Sequence, residues 1–260
     1  MAPQSRNIRL LIEYNGAGFY GWQRQDDLPT VQGSIEAALQ QIIGEVPSLT
    51  VAGRTDAGVH AIAQVANFHT TSAIEDWKFA PALNRFLPWE VSIHRSEEVP
   101  AAFNAKTDSV SKRYRYRIYQ GPRRCALEHE RCWTYRAPID VGLIREAAQR
   151  LVGEHDFESF RNTECDAEHA IRAMFDIAVE TSPRPPVGQF IDITFHANAY
   201  CRHMCRILAG TLMEVGLGKR PVDDMERIIA GRDRTLAGMT APAVGLTLLE
   251  VIYPTEAEEG

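Results

Sequence analysis

The stretch AGRTDAGVH, residues 52–60, places a guanidinium and a carboxylate two residues apart among small residues. Asp56 is the only acidic residue of the chain with an arginine two positions before it and glycines at positions −3 and +2. Glycine permits backbone angles that other residues avoid and lets a substrate approach the main chain closely. A nearby arginine keeps a carboxylate ionised and fixes its direction. The pattern therefore fits either a tight structural turn with a local ion pair or a catalytic acid.

A second candidate is the segment RYRYRIY, residues 113–119. In a strand its three arginines share one face, and Tyr114 and Tyr116 share the other. Interleaved arginine and tyrosine supply the phosphate contacts and stacking platforms that binding of single-stranded RNA requires. An ordinary edge strand with an arginine-rich solvent face has the same pattern, so both interpretations stay open.

A third candidate is YCRHMCRILAGTLMEVG, residues 200–216, whose apolar residues follow helical spacing. Arg206 interrupts the apolar start of this helix, so its side chain either reaches solvent or pairs with a carboxylate in a cleft. Cys201, His203 and Cys205 suggest a metal site, but nothing nearby completes a tetrahedral ligand set with the usual spacing. We therefore expect no metal.

A fourth candidate is FYGWQRQ, residues 19–25, a polar and aromatic loop after the first predicted strand. Loops that display side chains such as Trp22, Arg24 and Gln25 often recognise a ligand. Such a loop can also simply cover the edge of a core.

Hydrophobic periodicity and capping residues predict the elements that must position these candidates in the first half of the chain. Thr30 is a plausible N-cap of a helix that continues to about Ile43, and Gly44 ends it. The other predicted elements, in chain order, are strands at 8–14, 49–52 and 62–69, a helix at about 77–87, and a strand at 91–95. AGRTDAGVH is then the connection between two strands.

The second half repeats a similar order of elements. Asp140 is a plausible N-cap of a helix that reaches Leu151. The other predictions are strands at 113–119, 171–180, 189–196 and 245–253, with helices at 203–217 and 222–230. Two α+β domains, 1–105 with the Asp56 loop and 106–260, would leave a cleft between them, where ligands often bind.

Composition bounds the class of protein. The chain has 260 residues, of which 45% are apolar and 24% charged, as in ordinary globular domains. Its apolar runs are far shorter than the ~18 residues that a membrane span needs. The first residues lack the pattern of a secretory signal, so we expect a cytoplasmic protein without a membrane association. Five cysteines without a CxxC pair predict reduced thiols.

Charge gives two opposing indications about nucleic acid. The net charge of −6 argues weakly against a general nucleic-acid binder. Only 4 of the 28 basic residues are lysine, and arginine offers a planar fork for phosphates and a face that stacks on bases. A GC-rich genome would give the same bias toward arginine.

Taken together, these motifs closely resemble the tRNA pseudouridine synthase A family. The matching segments run nearly from end to end: EYNGAGFYGWQRQ, TVQGSIEAAL, AGRTDAGVHA, KRYRYRIY, GEHDFESFR, CRHMCRILAGTLMEVG and RTLAGMTAPAVGL. The resemblance implies a two-domain α+β fold, with RNA-recognition-like, ferredoxin-like halves, a central mixed sheet and an active-site cleft between the halves. It also implies a homodimer without a cofactor that converts uridine to pseudouridine at positions 38, 39 and 40, in the anticodon stem-loop of tRNA.

The resemblance also assigns roles to individual residues. Asp56 matches the catalytic aspartate of the family, and Arg206 resembles the arginine that pairs with it. Tyr114 and Leu246 are similar to residues that line the uracil pocket. Arg54 is expected to hold or flip the target nucleotide, since its closeness in sequence to Asp56 does not make it the partner of that carboxylate.

Three positions depart from the family pattern. Arg202 stands where a histidine is frequent, and Val244 stands where a glutamate often precedes Gly-Leu. Residues 166–174, DAEHAIRAM, replace an element that often contains a Thr-Arg pair. These departures concern secondary contacts with RNA more than the chemistry.

Three other functions are weaker explanations of the sequence. A glycosidase needs a second carboxylate at a set separation, and the motifs offer Asp56 no obvious partner of this kind. A pure RNA-binding module explains the arginine–tyrosine strand but not the glycine-flanked aspartate. A structural dimer explains neither feature.

Overall fold

The computed structural model describes residues 5–254, which contain ten β-strands and five α-helices. These residues form two compact units. The first unit comprises the described residues up to Val110 together with those from Leu248 onward, and the second runs from Ser111 to Thr247. The content of helices and strands confirms the predicted α+β class.

The first unit contains an antiparallel sheet and two helices. Its elements are β1 (Arg6–Tyr14), α1 (Val31–Ile43), β2 (Thr50–Val51), β3 (His60–Thr70), α2 (Phe79–Asn84), β4 (Val91–Val99) and the greater part of β10 (Leu246–Ile252). The strand order is β4, β1, β3 and β10, and β2 pairs with β3. The pairing of β1 with β3 is irregular between Ile12 and Tyr14, where Ile12 faces Gln64 but Tyr14 faces Ala61. One extra residue of β3 therefore lies opposite the end of β1, next to the connection that carries Asp56.

Helix α1 begins and ends where its capping residues predict. The Thr30 hydroxyl accepts a hydrogen bond from the Gly33 amide, and Gly44 ends the helix in the left-handed conformation at φ 75°. Glycine adopts this conformation without the steric penalty of a Cβ atom. Ile35 and Leu39 are completely buried, so one face of the helix packs on the core.

Two predicted elements of this unit differ in extent from the structure. The predicted helix at 77–87 is a short 3₁₀ helix, Asp76–Lys78, followed by α2, which ends at Asn84. The predicted strand at 91–95 continues to Val99, because its last residues pair with the start of β1, where Asn7 faces Val99.

The C-terminal strand packs with the first unit, which differs from the assignment of all residues after 105 to the second domain. The Tyr253 hydroxyl donates a hydrogen bond to the Ala105 carbonyl at 2.8 Å, and its ring centroid lies 5.3 Å from that of Phe103. The Val110 amide donates to the Ile252 carbonyl at 2.9 Å. These contacts join segments about 150 residues apart in the chain, which local sequence patterns do not reveal.

The second unit contains a mixed sheet covered by helices. Its elements are β5 (Ser111–Gln120), β6 (Trp133–Tyr135), α3 (Val141–Gln149), β7 (Gly153–Asp156), β8 (Ile171–Pro183), β9 (Gln189–Ala197), α4 (Met204–Gly216) and α5 (Asp224–Gly231). Strands β5, β9, β8 and β7 lie side by side in antiparallel pairs, and β6 is parallel to β5. The mixed sheet agrees with the predicted fold class, although β6 and β7 were not predicted.

Two helices form the core of this unit as their apolar spacing predicts. Asp140 caps α3 by accepting hydrogen bonds from the amides of Gly142 and Leu143. The inward residues of α3 and α4 are nearly or completely buried: Ile144, Ala147, Ala148, Met204, Ile207, Leu208, Leu212 and Val215. Arg206, on the first turn of α4, is only half-buried.

None of the helices within residues 5–254 has the length and apolar content that crossing a membrane requires. The same range contains no group of three or more His, Cys, Asp or Glu residues arranged to hold a metal ion. Cys201 and Cys205, which had suggested a metal site, are buried thiols.

Candidate active site

The connection between β2 and β3 presents Arg54 and Asp56 while burying the residue between them. Arg54 is exposed and Asp56 is half-buried, but Thr55 is only 7% exposed. After Asp56 the chain turns sharply, because the Val59 amide donates to the Asp56 carbonyl at 3.1 Å and Gly58 has φ 79°. The segment is thus a tight turn, and Asp56 is its first residue.

The loop at residues 19–25 holds the Asp56 turn through its backbone. The Trp22 amide donates to the Thr55 carbonyl at 3.0 Å, and the Gly58 amide donates to the Phe19 carbonyl at 3.2 Å. The Trp22 side chain is completely buried, so it covers the core rather than displaying itself to a ligand. Arg24, which is 58% exposed, forms an ion pair with Glu36 of α1. The loop is therefore mainly a support for the Asp56 turn.

Gly21 allows the backbone of the 19–25 loop to lie directly against the backbone of the Asp56 turn. It has φ 90°, and a Cβ atom at this position would lie 2.7 Å from the Thr55 carbonyl oxygen and 3.1 Å from the Asp56 carbonyl carbon. We expect Gly21→Ala to lower the free energy of unfolding by about 2 kcal/mol or more, because both the backbone angle and the contact become unfavourable. Thermal denaturation measures this loss.

Gly18 provides the matched control for that substitution. A Cβ atom at Gly18 meets nothing within 4 Å. Gly18→Ala should therefore retain the stability and the activity of the wild type. Equal melting temperatures for Gly21→Ala and Gly18→Ala would contradict the proposed packing of the 19–25 loop on the Asp56 turn.

A buried group of polar side chains lies beneath the Asp56 turn. The hydroxyls of Tyr14 and Thr55 are 2.7 Å apart, and the Gln64 side-chain amide donates to the Gly53 carbonyl at 2.9 Å. The Gly16 amide donates to Nδ1 of His60 at 3.0 Å. Sequence reasoning missed these residues. The available signal was a glutamine between the apolar pairs Ile62–Ala63 and Val65–Ala66 of a strand, where a buried polar side chain needs a partner.

In the second unit, Arg206 is fixed to the segment that precedes β10. Its Nε donates to the Ala241 carbonyl at 2.9 Å, and the Ala241 amide donates back to the Arg206 carbonyl at 3.1 Å. The Tyr116 hydroxyl donates to the Pro242 carbonyl at 2.8 Å. Leu246, which is 5% exposed, follows directly as the first residue of β10. Residues 241–246 therefore connect two of the predicted site residues.

Tyr114 lies on β5 with its ring against another tyrosine. Its ring centroid is 5.0 Å from that of Tyr200 in an edge-to-face arrangement, and Tyr114 is 7% exposed. Burial raises the pKa of Tyr200 well above its ordinary value and lowers that of Lys112, two residues before Tyr114. The region around Tyr114 is therefore largely shielded from water.

The arginine-rich face of β5 is partly used within the protein. Arg117 forms two hydrogen bonds with the carboxylate of Asp192 on β9, at 2.8 and 2.6 Å, and its guanidinium lies 4.7 Å from the ring centroid of Phe190. Tyr116 on the opposite face is completely buried. Arg117 and Tyr116 thus stabilise the fold. The prediction that β5 contacts RNA now applies only to the other residues of the RYRYRIY segment.

Two of the departures from the family pattern are close together. The Arg202 amide donates to the sulfur of Cys165 at 3.3 Å, and its guanidinium lies 3.2 Å from a carboxylate oxygen of Glu164. Cys165 directly precedes residues 166–174. Arg202 therefore contacts the two residues that directly precede that segment, whereas Val244 lies in the 3₁₀ turn before Leu246.

The five predicted site residues fall into two groups. Arg54 and Asp56 share one turn in the first unit, and Tyr114, Arg206 and Leu246 belong to the second. Asp56, Tyr114 and Arg206 each interact with other groups of the protein. Within its own unit, each group is held by hydrogen bonds or ring contacts from elements distant in sequence.

Comparisons with known proteins agree on one family. The family model described as tRNA pseudouridine synthase matches residues 10–108 and 147–254. The chain is 41% identical over 248 residues to tRNA pseudouridine synthase A of Geotalea daltonii, covering 95% of this chain and 100% of that protein. It is 41% identical over 251 residues to the protein of the same name from Cronobacter sakazakii, covering 96% and 91% of the two chains.

Proposed function

Because the chain belongs to the tRNA pseudouridine synthase family, and is therefore an isomerase, we propose that it converts uridine to pseudouridine at positions 38, 39 and 40 of tRNA. The single observation that carries the proposal is the glycine-flanked turn that presents Asp56 within a chain matching this family over most of its length. The relatives are named tRNA pseudouridine synthase A, and their names support tRNA as the substrate.

The reaction rearranges one nucleotide without changing its composition. The bond between N1 of uracil and C1′ of ribose breaks, the base rotates, and a bond forms between C5 and C1′. The proton on C5 is lost, and N1 gains a proton, so no oxidant, reductant or energy source is consumed. A single ionised carboxylate suffices for such a reaction. We propose no small-molecule cofactor and no metal for this enzyme.

Asp56 supplies that carboxylate in our proposal. It acts either as the nucleophile at C1′ or as the base that removes a ribose proton, and both routes require the ionised form. Arg206 orients the carboxylate by a charge-assisted hydrogen bond and favours its ionised form. The Nε–Ala241 hydrogen bond sets the orientation of the Arg206 guanidinium within its own unit.

The target base must leave its stack before the carboxylate reaches the ribose, at a cost of a few kcal/mol. Arg54, exposed beside Asp56, holds the flipped nucleotide in our proposal. Tyr114 stacks against the uracil, and Leu246 helps to enclose it; both side chains are largely buried. These roles divide binding of the base from the chemistry at C1′.

We further propose that the enzyme works as a homodimer in the cytoplasm and that its macromolecular partner is the anticodon stem-loop of tRNA. Modification at three adjacent positions requires the stem-loop to be held while its position relative to Asp56 changes. A second subunit that grips the rest of the tRNA would allow this adjustment.

The positional proposal is tested with tRNA transcripts that contain uridine at only one of positions 38, 39 and 40. Purified enzyme should form pseudouridine in each of the three transcripts, as read by chemical mapping. A matched transcript with cytidine at all three positions, but with its other uridines intact, should remain unmodified. Pseudouridine formed only elsewhere in the tRNA would overturn the positions and keep the enzyme class, whereas no product in any transcript would overturn the activity.

A further inference from the structure

We propose that Tyr14 and Gln64 are positioning residues that hold the catalytic turn through Thr55 and Gly53. The inference rests on the proposed function, in which Asp56 is the catalytic residue. Neither side chain reaches the reacting atoms in this proposal. They act on Asp56 through the backbone on either side of Arg54.

The irregular pairing at the end of β1 lies next to these side chains. One extra residue of β3 lies opposite the end of β1, and the Tyr14 oxygen is within hydrogen-bond distance of both Gln64 and Thr55. A regular ladder would pair Tyr14 with residue 62 instead of Ala61. Bulges of this kind are frequent beside active sites because they redirect a side chain.

The hydrogen bonds define one chain of donors. The Gln64 side-chain oxygen accepts from the Val65 amide at 3.2 Å, which leaves its NH₂ group directed at Tyr14 and Gly53. That NH₂ group donates to the Tyr14 oxygen at 3.3 Å and to the Gly53 carbonyl at 2.9 Å. The Tyr14 proton is then available for the Thr55 hydroxyl, 2.7 Å away. One glutamine therefore fixes both residues that flank Arg54.

The burial of these side chains indicates that the hydrogen bonds among Gln64, Tyr14 and Thr55 have a structural role and do not relay protons. Tyr14 is 2% exposed and Gln64 is completely buried. Burial raises the pKa of Tyr14 to about 12, although its hydrogen bonds with Thr55 and Gln64 oppose the shift. The phenol is therefore neutral near neutral pH and supplies a hydrogen bond that does not change with protonation there.

Along the turn, residues that are hydrogen-bonded to Tyr14 or Gln64 alternate with residues whose side chains reach the surface. Gly53 and Thr55 are held from below, while Arg54 between them is exposed and Asp56 after them is half-buried. The 19–25 loop also contacts this turn through two backbone hydrogen bonds, from the Trp22 amide to Thr55 and from the Gly58 amide to Phe19. Replacing Tyr14 or Gln64 therefore removes support from the turn without altering the groups proposed to touch RNA.

The test compares Tyr14→Phe with Tyr253→Phe, each of which deletes one hydroxyl in the first unit. Tyr253 donates to Ala105, remote in sequence from the Asp56 turn. For Tyr14→Phe we expect kcat to fall about ten- to a hundredfold, with KM for tRNA within about twofold of wild type, because a shift of about 1 Å suffices for such losses. Tyr253→Phe should retain kcat. Thr55→Ser, which keeps the hydroxyl, should retain most of kcat, and Thr55→Val should lose as much as Tyr14→Phe.

Amide hydrogen exchange gives a readout that does not depend on activity. Tyr14→Phe should accelerate exchange of the amides of residues 53–59, whereas Tyr253→Phe should leave them unchanged. Wild-type kcat in Tyr14→Phe, unchanged exchange in its turn, or equal losses in Thr55→Ser and Thr55→Val would each overturn the inference. If the wild type itself formed no pseudouridine, the proposed function would fail, while the exchange result would still decide whether Tyr14 holds the turn.

Discussion

Replacing Asp56 by asparagine should abolish pseudouridine formation, with a loss in kcat of about 10⁴-fold or more. The amide keeps the size of the side chain but can act neither as a nucleophile at C1′ nor as a base. Losses of this order follow when the central group of a catalytic site is removed. The measurement is release of tritium from tRNA that carries tritium at C5 of uridine, because each isomerisation frees the C5 hydrogen.

Substitution of a second aspartate, Asp76, is the control that distinguishes loss of the catalytic carboxylate from loss of an ordinary carboxylate contact. Asp76, in the same unit, accepts a hydrogen bond from the Glu98 amide at 3.0 Å, and this bond lowers the pKa of its carboxyl group. Asp76→Asn should release tritium at the wild-type rate, with at most a small decrease in stability. If Asp56→Asn kept more than about a tenth of the wild-type activity, the catalytic assignment would be wrong.

Replacing Arg206 by methionine should reduce kcat by about 10²–10³-fold and change KM for tRNA by less than about threefold. Removal of one fixed donor that stabilises charge in a transition state has effects of this size. The residue lies on the first turn of α4, and its backbone carbonyl still accepts from the Ala241 amide after the substitution. The 241–246 segment should therefore stay in place while the charge is lost. Steady-state kinetics with unmodified tRNA separates the two parameters.

Arg227 supplies the matched control for Arg206. It is an exposed arginine of the same unit, paired with Asp224 at 2.8 Å. Arg227→Met should leave both kcat and KM near their wild-type values. An equal loss of kcat and of tRNA affinity in Arg206→Met would indicate a contact with RNA rather than orientation of Asp56.

Elements with strong local signals were predicted correctly. The ends of α1 at Thr30 and Gly44 were predictable, because capping by a threonine side chain and the left-handed conformation of a glycine depend on the residue type itself. Strands β6 and β7, with three and four residues, were missed because they are too short for a periodic pattern and depend on their partner strands. The extension of β4 to Val99 depends in the same way on its pairing with β1.

The candidate site was predictable in part for the same reason. Gly53 and Gly58 mark Asp56 in the sequence, since glycine has conformational freedom that a turn requires. The supporting contacts from Tyr14, Gln64 and Trp22 are not visible there, because they join residues 11 to 50 positions apart. The roles of Arg206 and Leu246 came from the family resemblance, and the structure adds the 241–246 segment that holds them.

The most direct test of the central claim is the pattern of pseudouridine in cellular tRNA. Transfer RNA from a strain that lacks this gene should contain unmodified uridine at positions 38, 39 and 40, when mapped chemically. Restoring the wild-type gene should return pseudouridine at these positions, and restoring the gene with Asp56→Asn should not. Pseudouridine that persists at these positions in the deletion strain, or that the Asp56→Asn gene restores, would contradict the account.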